Sequence, residues 1–390
     1  MNIRITKKSE KKLKAGYPLV QKEDLQETPQ KFSAEWLDFL DSKGNFVASG
    51  YLGEQNKGIG WLVNRRGSID SEFLENLFLK AKNERAVFEQ DLGTTAYRLF
   101  NGEGDGLGGL TIDRYDEFAV FSWYNETLYN MKEQIIQAFK ASVPEIIGGY
   151  EKIRFSTQSL PESQKLFGKD APEPLLVLEN GVTYATYLND GLMTGIFLDQ
   201  KEVRGRLIDG AAAGKTVLNM FSYTGAFSVA SAMGGAAKTT SVDLAKRSLP
   251  KTKEQFEVNQ IDPAEQKIIV MDVFEYFKYA VRKELHYDVI VLDPPSFARN
   301  KKKVFSVAKN YGDLVEDAVT ILADKGLLIA STNAANISIE KYKKIIIQAL
   351  DKKHVRYQFI ETYQLPIDFK TNKHFQEGNY LKVFFIEIKK

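Results

Sequence analysis

The second half of the chain alternates two patterns. Short apolar runs occur at 217–221, 267–271, 288–292 and 326–331, with a polar strand-like stretch ending in an acid at 239–243, and stretches of helical spacing or composition follow at 226–233, 275–285, 307–323 and 339–352. Continuous apolar runs of this length suit strands buried on both faces. Strands alternating with helices imply right-handed crossovers and a parallel sheet. Two more runs, at 356–363 and 380–388, are expected to close the sheet, the last one antiparallel.

The first half reads differently. Residues 1–70 hold short strands and turns, at 1–6, 46–52 and 60–66. Phe73, Leu74, Leu77, Phe78 and Ala81 recur at three- and four-residue spacing, which predicts an amphipathic helix over 71–92 joining two domains. Ser71 is its expected N-cap, with Glu75 in the first turn. Beyond it, strands are expected at 118–123, 146–157 and 175–186, a helix at 127–141, and a polar, proline-containing loop at 159–174. The stretch 97–115 holds five glycines between two strands and reads as a hairpin loop. This gives four pieces: 1–70, a linker helix 71–92, a central α+β domain 93–187, and an α/β domain 188–390.

The chemistry gathers at the strand ends of the last piece. Ser222-Tyr-Thr-Gly225 is a tight turn between a strand and a helix, so backbone N–H groups face the carboxyl edge of the sheet. The turn lacks the G-x-G-x-x-G spacing of dinucleotide binders. A ligand with a carboxylate and an amine, and no phosphate, fits it better. The next run ends in Asp243, placed to accept ribose hydroxyls. The third ends in Asp272, Val273 and Phe274, an acid for an adenine amine and an aromatic to pack on the ring. The bland alternative for Asp243 and Asp272 is a helix N-cap. The fourth ends in Asp293, Pro294 and Pro295, whose prolines cannot continue a ladder and point the acid out of the edge. Together the four ends resemble the class I S-adenosylmethionine-dependent methyltransferases.

Composition narrows this. The 53 basic and 51 acidic residues nearly cancel, so any nucleic-acid surface must be a local patch. Candidates are Lys11, Lys12 and Lys14 near the N-terminus and Lys301, Lys302 and Lys303 after Asp293. A solvated face is the alternative for each. There is no cysteine, which excludes thiolate metal sites and thiol nucleophiles, and the three histidines are scattered, so no metal site is expected. No apolar run approaches the ~20 residues of a membrane span. A cytoplasmic protein that makes no membrane contact is expected.

A longer resemblance covers the whole chain. The segment YRLFNGEGDGLGGLTIDRYDEF at 97–118 is similar to one in a bacterial family of large-subunit ribosomal RNA methyltransferases. Further landmarks follow in order: Thr194-Gly-Ile-Phe197-Leu-Asp-Gln200, Asn219-Met-Phe221-Ser-Tyr223-Thr-Gly225, Asp243, Asp272-Val-Phe274, Asp293-Pro-Pro, and Glu377-Gly-Asn-Tyr-Leu-Lys382. The resemblance implies a PUA-like β-barrel at the N-terminus, a small α+β domain and a Rossmann-like catalytic domain. It implies S-adenosyl-L-methionine as cofactor, with Phe197 and Gln200 at its methionine end. It assigns Asn219, Phe221, Tyr223, Thr224 and Gly225 to the amino-acid part, Asp243 to the ribose, and Asp272, Val273 and Phe274 to the adenine. It also counts Asp293 among the cofactor-binding residues. The implied partner is large-subunit ribosomal RNA, with a homodimer as a further option.

One departure redirects the chemistry. Family members that methylate C5 of cytosine carry a cysteine after the fifth strand, and here Asn333 falls in that slot. No serine or threonine replaces a thiolate without a dedicated base. Direct transfer to a nitrogen avoids the difficulty. Guanine N7 has an in-plane lone pair and loses no proton, so it is favoured. Guanine N2 is next, with Asp293 and a carbonyl at Pro294 or Pro295 accepting the amine protons, Asn333 beside them and Phe297 stacking on a flipped base. The alternatives are cytosine C5 chemistry, a non-catalytic RNA-binding factor, and a small-molecule or protein methyltransferase.

Overall fold

The computed structural model describes residues 2–299 and 304–390. Its contacts gather into two compact units. One comprises Met1–Val177, Thr186–Thr194 and Ile367–Gly378; the other comprises Leu178–Ala185, Gly195–Pro366 and Asn379–Lys390. The chain enters each unit more than once.

The first unit is built on two sheets. In one, the strand order is Asn2–Arg4, Leu37–Leu40, Phe46–Gln55, Gly58–Asn64, Leu19–Val20, with only the first pair parallel. The lysine-rich stretch Lys7–Lys14 is a helix, because Ser9 and Leu13 lie four residues apart and bury one face. In the other sheet the order is Ser163–Gly168, Gly148–Ile153, Phe118–Trp123, Leu110–Tyr115, Ala96–Asn101. Strand Ser163–Gly168 corrects the loop expected at 159–174. It is an edge strand with half-exposed residues, so it carries no apolar signal.

The expected linker helix is also corrected. It runs Ser71–Glu84, with a separate turn at Ala86–Glu89. Its N-cap is Asp70, which accepts from the Phe73 N–H at 2.8 Å, and Glu72 is the first-turn acid. Leu74, Phe78 and Ala81 share one core with Phe100, Phe121 and Phe139, and with Tyr51 and Trp61 of the first sheet. The helix is thus a layer of the unit, not a tether. The helix breaks at Arg85, whose buried guanidinium pairs with both oxygens of Asp105 at 2.7 and 2.8 Å and donates to the Asp368 carbonyl. The glycine-rich stretch is a packing seam as well as a turn. A Cβ on Gly108 would lie 2.3 Å from the Trp61 ring, and the Gly108 carbonyl accepts from the Tyr51 hydroxyl.

The second unit is organised around a seven-stranded sheet. Its strands are β1 Thr216–Met220, β2 Lys238–Asp243, β3 Lys267–Val270, β4 Tyr287–Leu292, β5 Leu322–Thr332, β6 Arg356–Tyr363 and β7 Lys382–Lys389. The order is β3-β2-β1-β4-β5-β7-β6, and β7 alone runs antiparallel to its neighbours. The helices are α1 Ala226–Met233, α2 Ser248–Glu257, α3 Val273–Arg282, α4 Val307–Ile321 and α5 Ile339–Lys352. Leu218, Met220, Ile290, Leu292, Leu328 and Ala330 enter one core, while Val217, Val289, Val291, Leu327 and Ile329 enter another. Alternate residues go to opposite faces, and both faces are covered. That is why β1, β4 and β5 read as mainly apolar runs, whereas β2 buries Thr239, Thr240 and Ser241.

The register aligns the chemistry. Met220 pairs with Val242 and with Leu292, and Leu292 pairs with Ala330. Phe221, Asp243, Asp293 and Ser331 each follow one of these residues, so they form one row at the carboxyl edge. The strand order reverses between β1 and β4, where open sheets of this kind bind ligands.

Candidate active site

The loop after β1 is held in an unusual conformation. Phe221, Tyr223 and Gly225 have φ of 59°, 52° and 80°, in the left-handed region. For the two aromatic residues this costs about 1 kcal/mol or more each, and it persists only where neighbours enforce it. Here they do. Ser222 N–H donates to the Val242 carbonyl, Tyr223 N–H to Asp243 Oδ2, and Gly225 N–H to the Ser222 carbonyl, at 3.0, 2.9 and 2.7 Å. The Thr224 hydroxyl donates to the Gly195 carbonyl at 2.6 Å. Gly225 is also required sterically, since a Cβ there would lie 2.5 Å from the Thr252 methyl. The result is a preformed turn that presents the N-terminus of α1 at the edge.

The acids of this edge have acquired local duties. Asp243 accepts from Tyr223 N–H on Oδ2 and from Ala245 N–H on Oδ1, at 2.9 and 2.8 Å. Each oxygen retains a lone pair for a ribose hydroxyl. Asp272 is the N-cap of α3: its Oδ1 accepts from Phe274 and Glu275 N–H. Asp272 therefore serves as a helix N-cap. The Val273 side chain is buried in the core. Phe274 and Phe221 each face the buried Phe305, with ring centroids 6.0 and 6.3 Å away. Asn219 is not open at the edge. It is fully buried and donates to Ser228, tying β1 to α1, and only its unpartnered Oδ1 remains for a ligand.

Asp293 sits in a different kind of network. Gln200 Nε2 donates to Asp293 Oδ1 at 3.1 Å and to Ser331 Oγ at 2.8 Å. Ser331 Oγ donates to the same Asp293 oxygen at 2.6 Å. Burial pushes the Asp293 carboxyl up to about 6, against the Ser331 hydrogen bond, which pulls it down. Gln200 Oε1 is buried and has no partner among the described residues. On the other side of the two prolines, Ser296 Oγ donates to Asn333 Oδ1 at 2.5 Å. Two serine hydroxyls thus lace the Asp293–Ser296 loop to the end of β5. Pro294 is buried, while Pro295, Phe297 and Asn333 are exposed.

Around this centre, Phe197 is 41% exposed and its ring lies 5.3 Å from that of Tyr223. Its carbonyl accepts from Arg204, which forms a buried pair with Glu179. Tyr380 donates to Asp199, so the landmark ending in Gln200 meets the one ending in Lys382. Ser331, Ser296, Phe305 and Tyr380 carry no site role in the sequence reading. The available signal for Ser331 was its place at the end of an apolar strand, two residues before Asn333.

The basic candidates fare unevenly. Lys12 pairs with Asp24 at 2.9 Å and Lys14 with Asp41 at 2.7 Å, so two of the three N-terminal lysines have their charge matched locally. Lys11 is exposed. Lys301, Lys302 and Lys303 lie outside the described residues. Among the described residues no group of three or more His, Cys, Asp or Glu is arranged to hold a metal ion, and no helix is long and apolar enough to cross a membrane.

The residues at this edge fit a nucleoside that carries an amino acid in place of phosphate. Among the described residues a buried amide oxygen of Gln200 lacks a donor, Asp243 at the end of β2 keeps lone pairs, and the turn at Gly225 has no phosphate-cradling glycine spacing. Residues 153–374, more than half the chain, match the family model of S-adenosylmethionine-dependent methyltransferases. The chain belongs to that family, and S-adenosylmethionine is its cofactor. Residues 3–65 match the model of a PUA-like domain. The chain is 48% identical over 384 residues, 97% of each protein, to YwbD of Bacillus subtilis (strain 168), which is named provisionally as a ribosomal RNA large subunit methyltransferase. It is 32% identical over 363 residues, 91% of each, to ribosomal RNA large subunit methyltransferase I of Yersinia pseudotuberculosis serotype O:1b (strain IP 31758). Among solved structures, SMU.776, a provisionally assigned methyltransferase in complex with SAH, superposes with a TM-score of 0.93 at 48% identity, covering 99% of this chain and all of that one. The protein is a member of the large-subunit ribosomal RNA methyltransferase family.

Proposed function

We propose that the protein methylates a base nitrogen of large-subunit ribosomal RNA, guanine N7 first and guanine N2 next. The observation that carries this reading is the Asp293 carboxylate. One oxygen receives Ser331 and Gln200, and the other has no partner among the described residues. When bound, the cofactor supplies an electrophilic methyl group. Gln200, Phe197, the 219–225 turn and Asp243 hold it, and the chain supplies no thiolate for an addition to cytosine C6.

A guanine offers N1–H and an amine on one edge, both donors to an ionised carboxylate. With N7 as acceptor, Asp293 holds that edge and orients the ring. With N2 as acceptor, Asp293 accepts hydrogen bonds from the amine while the lone pair turns toward the methyl group, and takes up the one proton that the methylated amine releases. Phe297, 61% exposed beside the two prolines, is available to stack on the extruded base. Asn333, bonded to Ser296, fills the slot of the missing cysteine.

The test is mass spectrometry of nucleosides from ribosomal RNA of a strain lacking the gene. Loss of one 7-methylguanosine or N2-methylguanosine, restored by the purified enzyme, is expected. RNA containing 5-fluorocytosine should form no covalent complex. Loss of 5-methylcytidine instead would overturn the reading.

A further inference from the structure

We infer that Ser331 is a positioning residue for methyl transfer: its hydroxyl, oriented by Gln200, turns Asp293 so that one oxygen alone meets the acceptor base. The inference rests on the proposed contact between Asp293 and that base. It concerns a residue that neither the motifs nor the family landmarks single out.

The polarity of the network is dictated by chemistry. An ionised carboxylate only accepts, so the Gln200 atom 3.1 Å from Asp293 Oδ1 is the amide nitrogen. That nitrogen has two hydrogens. One goes to Asp293 and the other to Ser331 Oγ at 2.8 Å. Having accepted there, Ser331 directs its single proton to Asp293 Oδ1, 2.6 Å away. Donation therefore runs one way, from Gln200 through Ser331 to Asp293. Ser331 is fully buried, so no water competes for its proton.

The two oxygens of Asp293 become unequal. Oδ1 receives two hydrogen bonds, and Oδ2 receives none among the described residues. Asp293 as a whole is half-buried rather than sealed, at the carboxyl edge of the sheet. Two donors already point at Oδ1, which leaves it no room for a proton. If Asp293 is protonated, the proton sits on Oδ2. That turns the acceptor into a donor facing the donors of the base. Activity therefore needs the ionised form, and the Ser331 hydrogen bond favours it.

Other groups act on the same carboxyl. Burial raises its pKa most, and Asp199 of the Leu198–Gln200 turn raises it further. Arg204 of the Lys201–Arg206 helix lowers it. Tyr311 on α4 and Tyr342 on α5 also feel Asp293, but burial drives both hydroxyls far up and they stay neutral throughout. Ser331 is thus the uncharged group whose loss would shift Asp293 without altering a charge.

The experiment is the pH profile of kcat/KM for the full-length enzyme. The substrates are labelled S-adenosylmethionine and large-subunit RNA from a strain lacking the gene. Wild-type activity should fall as pH drops through about 6. Ser331→Ala should move that midpoint up by about one pH unit and lower kcat about tenfold at neutral pH, with the loss shrinking in alkali. Cofactor affinity by calorimetry should be unchanged. Ser331→Thr, which keeps the hydroxyl, should restore the wild-type midpoint, and Ser331→Gly should behave as the alanine variant does. An unshifted midpoint in Ser331→Ala or in Ser331→Gly overturns the inference, whatever the overall activity. Asp293→Ala separates the two layers. If it leaves methyl transfer unchanged, the reading of Asp293 itself fails. If it slows transfer while Ser331→Ala keeps the wild-type midpoint, only the role of Ser331 fails.

Discussion

Asp105 and Asp293 are two acids in well-ordered polar networks, and they are spent differently. Asp105 Oδ1 accepts from one Arg85 nitrogen; Oδ2 accepts from another and from the Asn101 N–H. Both oxygens are used, and a cation lies alongside. Asp293 has two neutral donors on one oxygen and, among the described residues, none on the other. The first arrangement neutralises a buried charge where it stands. The second leaves a charge partly desolvated and one oxygen idle. A satisfied acid holds a fold together, whereas an unsatisfied one is available for chemistry and costs stability.

The largest effect tests the first half of this contrast. Asp105→Ala leaves the Arg85 guanidinium buried without its partner, and should cost about 3–5 kcal/mol in denaturant unfolding. A loss under about 1 kcal/mol would mean that water replaces the carboxylate and that the two sites are alike.

Next comes the converse at Asp293. Asp293→Ala should slow methyl transfer about 100-fold or more, on the order of 3 kcal/mol, if an exocyclic amine is the acceptor. Cofactor affinity should stay within about twofold. If N7 is the acceptor, saturating RNA should recover part of the rate, because only positioning is lost. Single-turnover rates at two RNA concentrations distinguish these outcomes.

The same residue should show an opposite effect on stability. Its folded pKa, about 6, lies above the ordinary 3.8 of an aspartate. Between those values the folded state binds more protons than the unfolded chain. Stability should therefore fall as pH rises through that window. Asp293→Asn should abolish the slope and stabilise the protein at neutral pH by on the order of 2 kcal/mol, with no gain in acid below about pH 4. Urea midpoints across that range test it, and a variant less stable than wild type at neutral pH would break the comparison.

Asp243 falls between the two acids, since both oxygens bond backbone N–H groups yet keep free lone pairs. Asp243→Ala should weaken S-adenosylmethionine binding by about 1–2 kcal/mol in calorimetry. Part of that loss would come from the 219–225 turn, whose Tyr223 N–H loses its acceptor.

Several expectations turned on facts that no local pattern carries. Lys12 and Lys14 read as free basic charge because Asp24 and Asp41 lie far along the chain. The glycines at 102–109 read as a hairpin loop because nothing nearby announces the Trp61 ring that one of them must clear. Asp272 caps α3, one of the two roles that its position at a strand end offers. By contrast, α5 lies where its spacing predicted, and β6 and β7 close the sheet as expected, because burial on a sheet face imposes its period directly on the residues.

By itself, then, the sequence determined the layered α/β architecture, the acids at successive strand ends, and the absence of any thiolate nucleophile. These follow from periodicity and composition, which are local. The tertiary structure alone decided which oxygen of Asp293 is free. Leu292 had to pair with Ala330 for Asp293 and Ser331 to become neighbours. The 198–200 turn had to bring Gln200 within hydrogen-bonding distance of both. A hydrogen bond between residues 38 or 93 positions apart depends on strand register and turn placement, and neither leaves a mark on the residues it joins.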